Sequence, residues 1–122
     1  MAETTNRFLY WTPRILCIAF AAFISIFAFD VFEMPLSIPE KALALLMHLI
    51  PTFLVILALV IVWRREWIGA LVFPLLAVVH LVTKWGVLDW SAYAIIDGPL
   101  VLLGVLFWMN WRSRRAVQAA AA

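Results

Sequence analysis

The chain has 122 residues, of which 67% are hydrophobic and only 13% are charged. Soluble domains are about half apolar and about a quarter charged, and a chain of this length could not bury so much apolar surface in water. The formal net charge of +2 gives no support to nucleic acid as a partner, and the single cysteine, Cys17, excludes an intrachain disulfide. The composition favours a membrane protein over a water-soluble domain.

Four apolar runs have about the 20 residues that a helix needs to cross a hydrocarbon core of about 30 Å. The first helix is predicted to begin at Thr12-Pro13, an N-cap followed by a proline that the first turn tolerates. The apolar run after Arg14 has no small-residue cleavage site, so we interpret it as a retained helix and not as a signal peptide. A single domain over residues 1–122 is expected, with helices at about 13–32, 38–63, 67–85 and 92–111.

Charged residues alternate between the two ends of these runs. All seven arginines lie at every second junction, accompanied there by Glu3 and Glu66, whereas both lysines and the other five carboxylates lie on the opposite side. Arginine is retained on the cytoplasmic side of membranes, and all seven tryptophans lie near predicted helix ends, at the depth that indole prefers. These patterns predict an all-α, polytopic bundle of four transmembrane helices, with both termini cytoplasmic, in a cell membrane, most simply the bacterial inner membrane.

Four ionisable residues are predicted to lie within the bundle, towards the end opposite the arginines. At about 1.5 Å per helical residue, His48, His80 and Asp97 stand roughly 20 to 22 Å from the arginine boundary, and Asp30 stands at about 28 Å. Facing lipid would cost each of them a few kcal/mol, so these side chains are expected to point inwards and find partners. They are the candidate residues for binding a ligand or a proton.

Several interpretations of this polar layer remain open. The simplest is a structural cluster in which His48, His80, Asp97 and Asp30 satisfy one another's hydrogen bonds. Handling of a ligand, an ion or a proton is an alternative, because histidine titrates near neutral pH. Zinc bound by His48, His80 and Asp97, or haem bound by the two histidines, is a weaker alternative, since no pair of ligands has helical i, i+3 or i, i+4 spacing.

Three short motifs, His48-Leu49-Ile50-Pro51, Trp63-Arg64 and Asp97-Gly98-Pro99, together resemble a family of small four-pass bacterial membrane proteins classed as a domain of unknown function. The resemblance covers most of the chain from Arg7 to Trp111 and implies fold and membrane location only. Small multidrug transporters are similar in size but carry a glutamate midway along the first helix, where this chain has alanines and phenylalanine. The pattern of small fluoride channels, rich in glycine with asparagine, is also missing.

The sequence contains no nucleophile beside a base and no glycine-rich phosphate loop, so no enzymatic activity and no cofactor are expected. We predict a non-enzymatic homo-oligomer, or an accessory subunit that packs against a larger membrane protein. The alternative is a protein that binds or transports a small ligand, an ion or a proton through the polar layer. The lipid bilayer is an expected partner in either case, and its anionic headgroups are expected to meet three basic residues of the C-terminal tail, Arg112, Arg114 and Arg115.

Overall fold

The computed structural model describes the backbone of residues 2–121 and the side chains of residues 7–121. Within this range the chain is helical apart from short connections. The helices are α1 (Ala2–Ile26), α2 (Ile38–Val62), α3 (Glu66–Thr83) and α4 (Trp90–Ala121), and a 3₁₀ segment (Phe27–Glu33) continues α1. Each of the four helices is long and apolar enough to span a membrane.

Two helices extend beyond the boundaries predicted from the sequence. The prediction that α1 begins at Thr12-Pro13 is wrong: the helix already includes Ala2, and the Thr12 hydroxyl donates to the Phe8 carbonyl, 2.7 Å away, inside the helix. At the other terminus, α4 continues past Trp111 through the arginines to Ala121. The apolar run and the helix end at different residues, because polar residues such as arginine and glutamine also favour helix once a span has nucleated it.

The start of α2 agrees with the spacing of Ser37 and Glu40 in the sequence, which is typical of a capping box. The Glu40 carboxylate accepts hydrogen bonds from the Ser37 backbone N–H at 2.9 Å and from the Ser37 hydroxyl at 2.7 Å. These two contacts tie the connecting segment to the first turn of the helix. At its other end α2 stops at Val62, and only three residues separate it from α3.

The helices form a ring in which each one contacts two neighbours, α1 with α2 and α4, and α3 with α2 and α4. Their buried apolar side chains meet in one core, formed by Cys17, Phe20, Ala21, Val55, Ala58, Leu59, Val62, Phe73, Ala77, Leu100, Leu103 and Phe107. Only 22 to 28% of the most apolar stretch of each helix is buried inside the bundle. Most of the apolar surface therefore faces outwards, as it does in a helix surrounded by lipid.

The closest packing joins α3 and α4. A Cβ atom added to Gly104 would lie 2.5 Å from Cγ of Pro74, and one added to Gly69 would lie 2.8 Å from Cγ of Phe107. The rings of Phe73 and Phe107 stack with their centroids 5.5 Å apart. Two glycines thus allow these helices to approach each other more closely than any larger side chain would permit.

We use two names for the ends of the bundle. The arginine end holds Arg14, Arg64 and Arg112, and the acidic end holds Glu33, Glu40 and Asp89. The candidate polar layer lies towards the acidic end, and the α3–α4 contact at Gly104 and Pro74 lies below it. The packing between α2 and α3 is looser, because these helices contact each other least among the four neighbouring pairs.

Candidate functional site

Two of the four predicted site residues form a pair between helices. Nδ1 of His80 on α3 lies 2.9 Å from Oδ1 of Asp97 on α4, and both side chains are largely buried. With Asp97 as a carboxylate, which only accepts hydrogen bonds, the proton of this pair is assigned to Nδ1 of His80. In the neutral imidazole the lone pair is then on Nε2, which is the ring atom left to accept a proton or a hydrogen bond.

The surroundings of this pair hold it in place from the acidic end. The ring of Tyr93 packs edge-on against His80, with centroids 6.3 Å apart. Its hydroxyl donates to the Lys84 carbonyl and lies 3.4 Å from the Leu88 backbone N–H, which donates to it. Tyr93 therefore connects the first turns of α4 to the end of α3. It packs against His80 on the side nearer the acidic end.

The other two predicted residues do not join the pair through hydrogen bonds. His48 is exposed, and its Nδ1 lies 2.9 Å from the Ala44 carbonyl one turn earlier on the same helix. Asp30 is also exposed, in the 3₁₀ segment that follows α1. Sequence spacing indicates the height of a residue in a bundle, but the direction of its side chain depends on how each helix is rotated about its axis.

His48 and His80 nevertheless line one cavity of about 590 Å³. We call it the outer cavity; all four helices and the first residue of the 3₁₀ segment contribute to it. Its polar lining comprises His48, His80, Thr83 and Lys84, all at or near the acidic end. The remaining lining side chains are apolar and extend towards the middle of the bundle, among them Phe20, Leu54, Val55, Leu76 and Leu100. The outer cavity is thus polar at one end and apolar at the other.

The sequence offers His48, His80 and Asp97 as weaker candidates for binding a metal. Among the side chains of residues 7–121, no three histidines, cysteines or carboxylates lie close enough to hold a metal ion together. His80 and Asp97 would supply two ligands, whereas zinc sites in proteins use three or four. The geometry of the pair favours hydrogen bonding or proton exchange over metal coordination.

A second polar cluster, which we did not predict, lies at the arginine end. Arg14 is fully buried (0% exposed). One of its terminal nitrogens, Nη1, donates to the Tyr10 carbonyl at 2.5 Å, and Nη2 donates to the Trp63 carbonyl at 2.5 Å and to Oε1 of Glu66 at 3.1 Å. The guanidinium carbon also lies 3.6 Å from the centre of the Tyr10 ring, a cation–π contact.

Glu66 binds a second guanidinium, because Nη1 of Arg114 on α4 donates to the same Oε1. We call Arg14, Glu66 and Arg114 the arginine cluster; it contacts all four helices, since Trp63 follows α2 directly. Asn110, one turn before Arg114, is 1% exposed, and its side-chain amide has no hydrogen-bond partner among the described residues. The sequence does contain one indication of this cluster. Arg14 follows Trp11 by three residues and therefore lies on the apolar side of that boundary residue.

The three basic residues predicted to contact lipid headgroups differ in their surroundings. The guanidinium of Arg112 lies over the Trp108 ring and that of Arg115 over the Trp111 ring, each at 5.1 Å from the ring centre. Arg114 instead reaches inwards to Glu66, although 44% of its side chain remains exposed. Arg112 and Arg115 stay candidates for headgroup contact. Arg114 forms an ion pair with Glu66, and the rest of its side chain is exposed.

Fold and site together define the class of this protein as a small, all-helical chain with four helices apolar enough to cross a membrane and two polar clusters near opposite ends. The chain belongs to the family described as a domain of unknown function, DUF7670, whose model matches residues 1–119. The expected resemblance to a family of unknown function is thereby confirmed. No curated protein and no solved structure matches the chain.

Proposed function

We propose that this chain is a four-pass membrane protein that binds a small amphipathic molecule in the outer cavity and has no enzymatic activity of its own. The observation that carries the proposal is His80, paired with Asp97, on the polar part of a cavity of about 590 Å³ whose other walls are apolar. Binding sites for small molecules are typically apolar cavities of this size with a few oriented polar groups.

The lining indicates the chemistry of the ligand. Nε2 of His80, oriented through the contact between Nδ1 and Asp97, accepts a hydrogen bond from a neutral headgroup or pairs with an acidic one when the imidazole is protonated. Lys84 adds a positive charge on the same side. An apolar tail would lie along Leu54, Leu76 and Leu100, towards the middle of the bundle. Fatty acids and other single-chain amphiphiles combine these two features.

The loose contact between α2 and α3 supplies a route from the bilayer. These helices have the least extensive contact of the four neighbouring pairs, and Met47, Leu54 and Val79 on the cavity wall are all exposed. An amphiphile dissolved in the membrane could thus reach the cavity sideways without passing through water. Its headgroup would stay at the acidic end, where His48 and Thr83 also lie.

Photolabelling with a diazirine-bearing palmitate, in nanodiscs that hold the purified chain, tests the proposal. Leu100 is only 4% exposed but lines the outer cavity, so a label on Leu100 requires the probe to be inside. The variant Leu54→Trp fills the cavity and should abolish that label. Its control, Leu57→Trp, is an equally large change at an exposed position of α2 outside the cavity lining and should leave the label unchanged. Labels confined to outward-facing residues would contradict the proposal.

The orientation of the chain is part of the same proposal: both termini on the cytoplasmic side, in a bacterial inner membrane. The placement of all seven arginines at alternate junctions supports it. Cysteines introduced as Arg65→Cys and Ala119→Cys should react with an impermeant maleimide only in opened cells, whereas Ser37→Cys should react in intact cells. Reaction of Arg65→Cys in intact cells would refute this orientation.

A second candidate function is the one that the sequence favoured, a homo-oligomer or an accessory subunit of a larger membrane protein. The small buried share of each span, 22 to 28%, supports it, because the outward faces offer a large surface for another helix. Chemical crosslinking in membranes, followed by purification in a mild detergent, distinguishes the cases. A defined dimer or a stoichiometric partner would establish this role, and a monomer without a partner would exclude it.

A further inference from the structure

The extended ends of α1 and α4 form a cleft at the arginine end, well away from the outer cavity. The cleft has a volume of about 350 Å³ and is lined by Arg7, Tyr10, Arg114, Val117 and Gln118. It lies beyond both helix boundaries predicted from the sequence, which ended the helices at Pro13 and Trp111. We infer that this cleft binds the phosphate of an anionic phospholipid headgroup, through the guanidinium groups of Arg7 and Arg114.

Charge within the arginine cluster supports an anion in this position. Arg14 and Arg114 both donate to the same carboxylate oxygen of Glu66. A single negative charge therefore faces two positive charges, and one guanidinium charge is left unbalanced by this carboxylate. Because Arg14 is fully buried and Arg114 is 44% exposed, the unbalanced charge is presented to the outside through Arg114.

The geometry of Arg114 leaves it able to bind a ligand while it holds Glu66. Glu66 takes Nη1, so the other N–H groups of the guanidinium remain for an acceptor on the cleft side. The guanidinium carbon lies 5.9 Å from the centre of the Tyr10 ring, which places it against the α1 wall of the cleft. Arg7 lies one turn before Tyr10 on that wall and forms no ion pair with a carboxylate among residues 7–121.

These donors match a phosphate group. Guanidinium groups bind phosphate oxygens through two parallel N–H bonds, and two such groups on opposite walls can clamp one phosphate. The Gln118 amide on the same lining can donate a further hydrogen bond to it.

The depth of the cleft relative to the membrane boundary favours a lipid phosphate over a soluble one. Tyr10 directly precedes Trp11, and Arg114 comes three residues after Trp111. Indole rings prefer the boundary between hydrocarbon and headgroups, so a cleft just outside these tryptophans lies at headgroup level.

Native mass spectrometry of the full chain in detergent, titrated with phosphatidylglycerol or phosphatidylcholine, tests the inference. We expect phosphatidylglycerol to bind more tightly, and Arg7→Gln to weaken that binding about fivefold, the effect of about one basic residue at a membrane surface. Arg7 is exposed, so its replacement should not disturb folding. Arg114→Lys keeps the charge but removes the paired N–H groups, and should weaken binding by a similar factor.

The matched control is Arg112→Gln, which removes the same charge from an exposed arginine that lies over Trp108 and not on the cleft wall. Its effect on phosphatidylglycerol binding should be much smaller than that of Arg7→Gln. Equal losses in the two variants would overturn the inference, because they would indicate diffuse attraction. Displacement of the lipid by millimolar inorganic phosphate would overturn the assignment to a lipid headgroup. Neither outcome bears on palmitate labelling of the outer cavity.

Discussion

The two polar clusters of this protein differ in how completely the fold encloses them. At the arginine end, the buried guanidinium of Arg14 donates to Trp63 and Glu66 and faces the Phe107 ring of α4, and the Glu66 carboxylate is shared between two arginines. Towards the acidic end, His80 and Asp97 contact each other across one helix pair, and His80 borders an open cavity. The first cluster ties the ring of helices together, whereas the second leaves room for a ligand.

This difference follows from what each charge requires. A guanidinium keeps its charge under all ordinary conditions, so a buried arginine must be surrounded by acceptors. An imidazole can become neutral, so a histidine tolerates an environment with a single partner and an apolar wall. A buried cluster of permanent charges is accordingly expected to matter most for stability, and the titratable pair to matter most for binding.

The largest effect is expected from Glu66→Gln, which keeps the side-chain volume but leaves Arg14 and Arg114 without a counter-charge. Removing one partner from a buried ion pair costs about 3 to 5 kcal/mol. We expect a strong fall in the free energy of unfolding, measured by tryptophan fluorescence during titration with sodium dodecyl sulfate. Arg64→Gln, at an exposed position of the same end, is the control and should unfold like the wild type. Equal stability of Glu66→Gln and the wild type would show that the arginine cluster does not hold the helices together.

An intermediate effect is expected from Gly104→Ala, because the added methyl group would lie 2.5 Å from Cγ of Pro74. Relieving that overlap requires α3 and α4 to move apart, at a cost of about 1 to 3 kcal/mol. The same change at Gly98, also on α4, meets no atom within 4 Å and should stabilise the helix by about 0.5 to 1 kcal/mol. The same unfolding titration compares the two variants. Opposite signs are expected, and a destabilised Gly98→Ala would argue against the packing described for α4.

The smallest effect on stability is expected at the acidic end, from Asp97→Asn. Hydrogen bonds between membrane helices contribute about 1 kcal/mol, so the fold should persist with slightly lower stability. Binding should suffer more, because an asparagine amide can donate as well as accept, so it no longer fixes the tautomer of His80 that leaves Nε2 free to accept from the ligand. Palmitate labelling at Leu100 should therefore fall in Asp97→Asn. The stability of His48→Gln should barely change, because the His48 side chain is exposed and its hydrogen bond is to its own helix. Unchanged labelling in Asp97→Asn would indicate that the pair has only a structural role.

The sequence indicated part of the candidate site correctly. Counting residues from the tryptophans placed His80 and Asp97 at one height, and the structure brings the two side chains within 2.9 Å. The same count placed His48 at that height, but its side chain lies on an exposed face of α2 and bonds to its own helix. Height along a helix follows from a fixed rise per residue, whereas the rotation of the helix depends on packing against its neighbours.

The arginine cluster shows the opposite case. Charge counting treated Arg14 as one more basic residue that marks a side of the membrane, and treated Glu66 as part of a turn. In the structure, Arg14 is completely buried, and Glu66 joins it to Arg114, 48 residues further along the chain than the carboxylate. A pattern of charges predicts on which side of a membrane each charged segment is retained. It does not predict which charges form ion pairs after the helices assemble.

By itself the sequence determined four apolar helices of spanning length, the capping contact of Ser37 with Glu40, and the segregation of arginines from most carboxylates. Each of these depends on residues that are neighbours in the chain, or on how a segment partitions between hydrocarbon and water. Only the tertiary structure decided the close contact of Gly104 with Pro74, the burial of Arg14, and the pairing of His80 with Asp97 beside a cavity. These depend on the relative rotation and separation of helices, which are set by packing between residues far apart in the chain.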